Sequence, residues 1–333
     1  MRHFSYSRAD NVDTALAAHA GQPSAYVAGG TTLLDLVKLD VMRPEHIVDI
    51  NALDLHDVSA LDDGRLQIGA LVSNTALAHH PAVTARYPVL SEALLAGAST
   101  QLRNMASTAG NVMQRVRCSY FRNGVSACNK REPGSGCAAI GGHNRSLHAV
   151  LGTSEHCIAA HPSDMCVAMA AIGAEVQVCG QDGAHSIDFL GFHLLPGTTP
   201  HLEHALAGDE LITHVTLDAP IADSHSSYVK LRDRASYQFA LASCAAIVAL
   251  DGDTIRAARL ALGGVATKPW RAHDAEAALV GQAATATQFQ QAARIALQDA
   301  IPQTQNAFKI PLGRQAIVRA LEQAVAQATG GSA

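Results

Sequence analysis

No apolar run in this chain approaches the length of a membrane span. The longest, Ala240 to Leu250, is about half of the ~20 residues a span needs. The start MRHFSYSRADN has no hydrophobic region of the signal-peptide kind. A chain without membrane insertion and without an export signal of its own is therefore expected. Charge is scarce: 16% of residues are charged against 48% hydrophobic, which excludes a disordered chain and favours a globular one. A formal net charge of -5 argues against broad attraction to nucleic acid. No internal repeat or low-complexity tract stands out. There is no GxGxxG, and no acidic residue is suitably placed ~20 residues after a glycine loop, which disfavours a nicotinamide-binding fold.

What is present is uneven. With 333 residues the chain is long enough for two or three domains with cores of their own. Between Arg103 and Arg145 lie seven basic residues (Arg103, Arg115, Arg117, Arg122, Lys130, Arg131, Arg145) and one acid, Glu132, so this segment is +6 and the remainder -11. Four of the seven cysteines, Cys118, Cys128, Cys137 and Cys157, lie in or just beyond this basic segment. Cys166, Cys179 and Cys244 sit in apolar stretches and read as core residues.

Periodicity divides the chain coarsely. A helix capped by Ser7 or Asp10 runs through His19, strand AYVA leads into GGTT, and a helix follows from Leu33 to Asp40. HIVDI and RLQIGALV read as strands, TALAHH and YPVLSEALLAGA as helices, SDMCVAMAAIGA as a helix, EVQVC and ELITHVTL as strands. DAPIADSHSS reads as a linker. Beyond it SYVKLR, SCAAIVAL and TIRAARLALGG form an antiparallel meander followed by helices near 273–280, 286–300 and 312–328. The pattern is α+β, with ligand loops at strand-to-helix turns.

Two such loops carry chemistry. AGGTTLL, Ala28 to Leu34, follows a strand and opens a helix, so its backbone N–H groups suit an anion such as a pyrophosphate. STAGN, Ser107 to Asn111, combines a hydroxyl, small residues and an amide, which permits close backbone approach. Each alone is also an ordinary tight turn. The pair resembles the AGG(T/H)(T/S)LL and (T/S)xGGN loops of the FAD-binding medium subunit of molybdenum hydroxylases, the group that includes carbon monoxide dehydrogenase and xanthine dehydrogenase. Ala109 stands where that family usually has glycine.

The resemblance implies a two-part FAD-binding domain of the vanillyl-alcohol-oxidase type over residues 1–221, with subdomains of about 1–57 and 58–221. A smaller C-terminal α+β domain, a three-stranded antiparallel sheet with helices, would cover 222–333. It implies that Tyr26, Val27, Ala28, Gly29, Gly30, Thr31, Thr32, Leu33 and Leu34 wrap the FAD pyrophosphate and that Ser107, Gly110 and Asn111 close the other side. His161-Pro162-Ser163-Asp164 is similar to the family's Ser-Pro-x-x-Asp element, shortened by one, which makes Asp164 a cofactor contact; as a plain residue it would cap the following helix. Lys230 matches a basic position near the isoalloxazine, and Ile212 an apolar position lining the ring; a solvated strand lysine and a core isoleucine are the plain alternatives.

Most family members pass from the second loop to the Pro-x-x-Asp element within a few residues. Here nearly fifty intervene, an insertion of 112–160 that needs something to order it. Disulfides, structural zinc and an iron-sulfur cluster are the three means that spacing leaves open. The intervals between the cysteines, nine, eight and nineteen residues, contain no CxxC pair of the usual zinc type. His143, His148 and His156 are near enough in sequence to complete a zinc site. Four widely spaced thiolates suit a 4Fe-4S cube, whose negative charge the basic residues would offset. CxYFRxxxxACNKREPGSGC followed by LGTSEHC resembles the insertion of bacterial periplasmic-type aldehyde oxidoreductases, whose flavin subunit carries one 4Fe-4S cluster besides FAD. That resemblance assigns Cys118, Cys128, Cys137 and Cys157 as its ligands.

It further implies a heterotrimer. A large subunit with molybdopterin would oxidise aldehyde to carboxylic acid, and a small subunit would relay electrons through 2Fe-2S clusters. This chain, with no catalytic residue of its own, would pass electrons to an external acceptor. Assembly would be cytoplasmic, and arrival in the periplasm would rely on a partner's twin-arginine signal. The alternatives are a zinc-stabilised interaction subunit without redox role and a self-sufficient flavin oxidase.

Overall fold

A computed structural model describes residues 1–330 of the chain. Three sheets organise it. The first joins β1 (Ser5–Arg8), β2 (Ser24–Val27) and β3 (His46–Asp49) in the order β1-β3-β2, with both pairs parallel. Parallel neighbours need crossovers, and helices Val12–His19 and Leu33–Lys38 lie on the chain between these strands. The first helix is capped by Asn11, whose side chain accepts from the Thr14 N–H at 2.8 Å while Thr14 reaches back to the Asn11 N–H. Neither expected cap serves: Ser7 belongs to β1, and Asp10 accepts from the Asn11 amide instead.

The second sheet contains β4 (Val58–Ala60), β5 (Leu66–Gly69), β6 (Ala174–Gly180), β7 (Gly183–Asp188) and β8 (Leu211–Leu217), ordered β4-β5-β8-β6-β7 and antiparallel throughout. Between β5 and β6 the chain builds short helices, the cysteine segment and helix Asp164–Ile172. All nine residues of that helix are buried. A helix apolar on every side must be enclosed, and this one lies in the main core against helix Pro88–Ala96 and the strands Ala242–Asp251 and Thr254–Gly263.

The third sheet runs β9 (Ser224–Leu231), β10 (Ala242–Asp251), β11 (Thr254–Gly263) and β12 (Trp270–Arg271), all antiparallel. The meander was expected to have three strands; the two-residue β12, too short to leave a pattern, adds an edge. The expected linker ends earlier too, because Ser224 already pairs with Ala249. The apolar run noted above is β10, and its alternation shows why it is apolar on both faces. Ala245 and Ile247 join the core of the first two sheets, while Cys244, Ala246 and Val248 join a second core with helices His273–Leu279, Ala286–Ala296 and Lys309–Ala328. No helix among the described residues is long and apolar enough to cross a membrane.

Candidate functional site

The first glycine loop leaves β2 at Val27 and enters helix Leu33–Lys38. Gly30 has φ +71°, which suits glycine, and a Cβ on Gly29 would lie 1.6 Å from the Met105 carbonyl oxygen. Gly29 is therefore where this loop touches the end of helix Thr100–Met105. The second loop is the first turn of a short helix, Thr108–Val112, and Ser107 caps it by accepting from the Gly110 N–H at 3.2 Å. Ala109 has no positive φ, so alanine fits there without strain.

Two cavities open on either side of these loops, of about 450 and 560 Å³, and share Thr31, Thr32 and Gly110 at a common waist. Both are of cofactor size. The first holds Tyr26, Ala28, Ser107 and Ile212. Its Tyr26 ring stacks on His19 at 4.2 Å, and the Tyr26 hydroxyl is buried without a hydrogen-bond partner. The second holds Asn111, Arg117, Asp164 and Phe239. There Asp164 is buried at the start of its helix, which Ser163 caps by accepting from the Cys166 N–H at 3.1 Å. Asp164 Oδ1 accepts from the Tyr228 hydroxyl at 2.7 Å and Oδ2 from the Lys230 ammonium at 2.7 Å. Burial and the adjacent carboxylate hold the Tyr228 phenol well above its ordinary pKa.

The four cysteines line one small cavity with Phe121, Lys130 and His156. Cys118, Cys128 and Cys157 are buried and Cys137 half-buried, and all are free thiols. Side-chain hydrogen bonds bring their loops together. Cys128 and Cys137 face each other across an isolated antiparallel bridge closed by Asn129, whose Oδ1 accepts from the Gly134 and Gly136 N–H groups. The Asn129 amide donates to the His156 carbonyl at 3.1 Å, tying this loop to the Cys157 turn. Burial pushes the Cys157 thiol up to about 11, with Lys130 acting against it. Burial likewise raises the Cys118 thiol, opposed by the Phe121 and Tyr120 N–H groups that face its sulfur.

The family described as the FAD binding domain in molybdopterin dehydrogenase matches residues 2–219, and that described as the CO dehydrogenase flavoprotein C-terminal domain matches residues 226–324. The chain belongs to the FAD-binding medium subunits of molybdenum hydroxylases. It is 48% identical over 332 residues, 98% of this chain and 100% of the other, to the aldehyde oxidoreductase FAD-binding subunit PaoB of Escherichia coli (strain K12). It is 26% identical over 318 residues to the carbon monoxide dehydrogenase medium chain of Hydrogenophaga pseudoflava, covering 94% of this chain and 93% of that one. Among solved structures, carbon monoxide dehydrogenase from the same organism, in a form lacking the Mo-pyranopterin moiety, superposes with a TM-score of 0.77 at 26% identity over 98% of both chains. This medium subunit is thus an oxidoreductase component with an FAD-binding domain, acting in a multi-subunit complex.

The other expected site residues of the medium subunit are placed unevenly about these cavities. Lys230 is not solvated: its side chain is 3% exposed, and its ammonium donates to Asp164, which lines the second cavity, and to the Ala96 carbonyl. Ile212 lines the first cavity and Asp164 the second. Val27 and Leu34 do not line either cavity; Val27 packs under the first sheet and Leu34 is exposed. Ser163, not Asp164, caps the helix.

The basic residues do not form a shell around the sulfurs. Of the seven, Lys130 alone lines their cavity. Arg117 and Arg122 pair with Asp35 of helix Leu33–Lys38, Arg115 and Lys130 with Glu203, and Arg131 donates to the Tyr120 and Phe121 carbonyls. They bind the insertion to its surroundings.

Tyr228 was missed, although SYVKLR puts it two residues from Lys230 and hence on the same strand face. Another donor group, His161, Cys166 and His193, has ligand atoms within 4.8 Å of one another. His161 Nδ1 accepts from the Ser163 N–H at 3.4 Å, so that nitrogen is taken by the backbone. Its ring meets His193 edge to face at 4.6 Å, a packed core pair.

Proposed function

We propose that this chain is the electron-exit subunit of a heterotrimeric molybdenum-dependent aldehyde oxidoreductase, holding FAD between its two glycine loops and one 4Fe-4S cluster on Cys118, Cys128, Cys137 and Cys157. The large subunit would convert aldehyde to carboxylic acid at molybdopterin-bound molybdenum, the small one would relay electrons through 2Fe-2S clusters, and this chain would hand them to an external acceptor. The substrate class follows from the relative at 48% identity, which is named as an aldehyde oxidoreductase subunit.

The observation that carries the cluster is the shape of the cysteine site. Four thiols from separate loops, with no CxxC pair among them, line one cavity. A four-iron cube takes one thiolate on each corner, and widely spaced loop cysteines suit that arrangement.

The cavities fit FAD in two parts. Thr31, Thr32 and Gly110 at the waist, beside the first-turn N–H groups that a helix leaves without internal partners, suit the pyrophosphate. Tyr26, with its unpartnered buried hydroxyl, and Ile212 suit the adenosine end. Asp164 and Asn111 suit the ring end, with Lys230 and Tyr228 holding Asp164 in place from behind. Bound there, FAD supplies exchange between single-electron carriers and a two-electron acceptor. The units implied are an FAD-binding part, 1–221, carrying the insertion 112–160, and a C-terminal part from 222. The first two sheets fall within the former and the third within the latter.

The test is cofactor analysis of the complex co-expressed and purified anaerobically. Wild type should contain FAD, molybdenum and four iron and four sulfide beyond those of the 2Fe-2S clusters. Cys128→Ser should lose the extra iron and keep FAD, whereas Cys244→Ser should keep both. Zinc in place of the extra iron would establish the zinc-stabilised alternative and overturn the cluster.

A further inference from the structure

One of the four sulfurs has a side-chain donor beside its backbone donors. Cys118 faces the N–H groups of Tyr120 and Phe121, and its Sγ also lies 3.3 Å from His148 Nε2. His148 is 2% exposed, and its other ring nitrogen, Nδ1, is buried without a partner. We propose that His148 donates its Nε2–H to the Cys118 sulfur of the bound cluster and thereby raises the reduction potential of that cluster. The inference rests on the cluster reading above and assigns a role to a residue outside the ligand set.

Three lines of chemistry support it. An iron-bound thiolate has no proton and only accepts, so a neutral imidazole at 3.3 Å is an N–H···S donor when its proton is on the facing nitrogen. The unpartnered Nδ1 agrees with that tautomer, because a bare lone pair is tolerated in burial more readily than an unmet N–H. Reduction adds one electron to the cube, and a dipole with its positive end at the sulfur stabilises the more negative state more strongly.

The position of the ring is fixed from outside the insertion. His148 bridges Ala159, next to the Cys157 turn. Its own carbonyl and that of Ala149 accept from the Asn306 amide at 3.4 and 3.0 Å. Lys309, fully buried, donates to the Ser146 carbonyl at 2.7 Å. Asn306 and Lys309 belong to the C-terminal region that packs on the third sheet, so that region positions the donor for a sulfur in the insertion. Such outer hydrogen bonds are a general means of tuning a metal centre.

The purified complex, reduced with dithionite and titrated with ferricyanide while the cluster's EPR signal is followed, tests the proposal. His148→Phe should keep iron, sulfide and FAD and shift the cluster midpoint to lower potential; His148→Gln, which retains an amide N–H, should return toward wild type. An unshifted midpoint in a fully loaded His148→Phe complex overturns the proposal. Should that variant fail to assemble, wild type labelled with ¹⁵N-histidine decides. A weak ¹⁵N coupling to the reduced cluster is expected, and either no coupling or the strong coupling of a direct iron ligand overturns the inference. A wild-type complex without the extra iron would instead sink the cluster itself.

Discussion

The Lys230 ammonium and the Asp164 carboxylate meet at 2.7 Å with side chains 3% and 8% exposed, behind the wall of the second cavity. Each charge is tolerable there because of the other. Removing one member of a buried pair leaves the partner unpaired, which typically costs about 3–5 kcal/mol. Lys230→Met should therefore lower unfolding stability by about that amount. Tyr228→Phe removes one hydrogen bond to the same carboxylate and should cost about 2 kcal/mol. The double variant Asp164→Leu with Lys230→Met should lose less than the sum of the single changes, because no lone charge remains. Denaturant unfolding of the complex-free chain, with flavin content measured alongside, checks all three; additive losses would show that the two residues do not act as a pair.

Gly29 gives a second prediction, and it depends on backbone. A Cβ there would overlap the Met105 carbonyl at 1.6 Å, and neither chain segment is a flexible side-chain end that could swing aside. Gly29→Ala should push the glycine loop away from helix Thr100–Met105, at about 1–3 kcal/mol, and lower the FAD-to-protein ratio. Gly110→Ala meets only the Ser107 hydroxyl, at 2.8 Å, which can rotate at the expense of its cap. That variant should cost about 1 kcal/mol. Equal flavin loss in both would mean that contact between the loop walls is not what matters.

These residues also show what local pattern conveys. The glycine loops, the buried helix at Asp164 and the apolar β10 were legible because each is set by its own neighbourhood: small residues at a turn, or apolarity on every face. The buried partners of Lys230 and Asp164 were not, since their meeting joins β9 to a helix 66 positions earlier. Arginine-rich composition suggested a counter-charge to the cysteines, but composition does not encode that Asp35 and Glu203 come to meet those cations. β1 and β12 were missed for a related reason. They are short strands with exposed or half-buried residues, held by pairing to their neighbours and not by an alternating pattern.

The last prediction concerns pH. His193 is 5% exposed, and its Nε2 donates to the Val112 carbonyl at 3.0 Å. Burial depresses its pKa from 6.5 to about 4, with His204 and Lys268 adding to the shift and the Val112 bond and Glu203 opposing it. The folded chain therefore keeps this ring neutral in a range where the unfolded chain protonates it. Stability from this source is full above pH 6.5 and falls as pH drops through the interval from 6.5 to about 4. Linkage gives a loss of about 2 kcal/mol between pH 7 and pH 5. His193→Gln keeps an amide N–H for Val112 but cannot titrate, so its stability should fall by about 2 kcal/mol less than that of wild type across the same interval. Urea unfolding at both pH values measures this directly. Parallel losses in the two proteins would show that protonation of His193 is not coupled to unfolding.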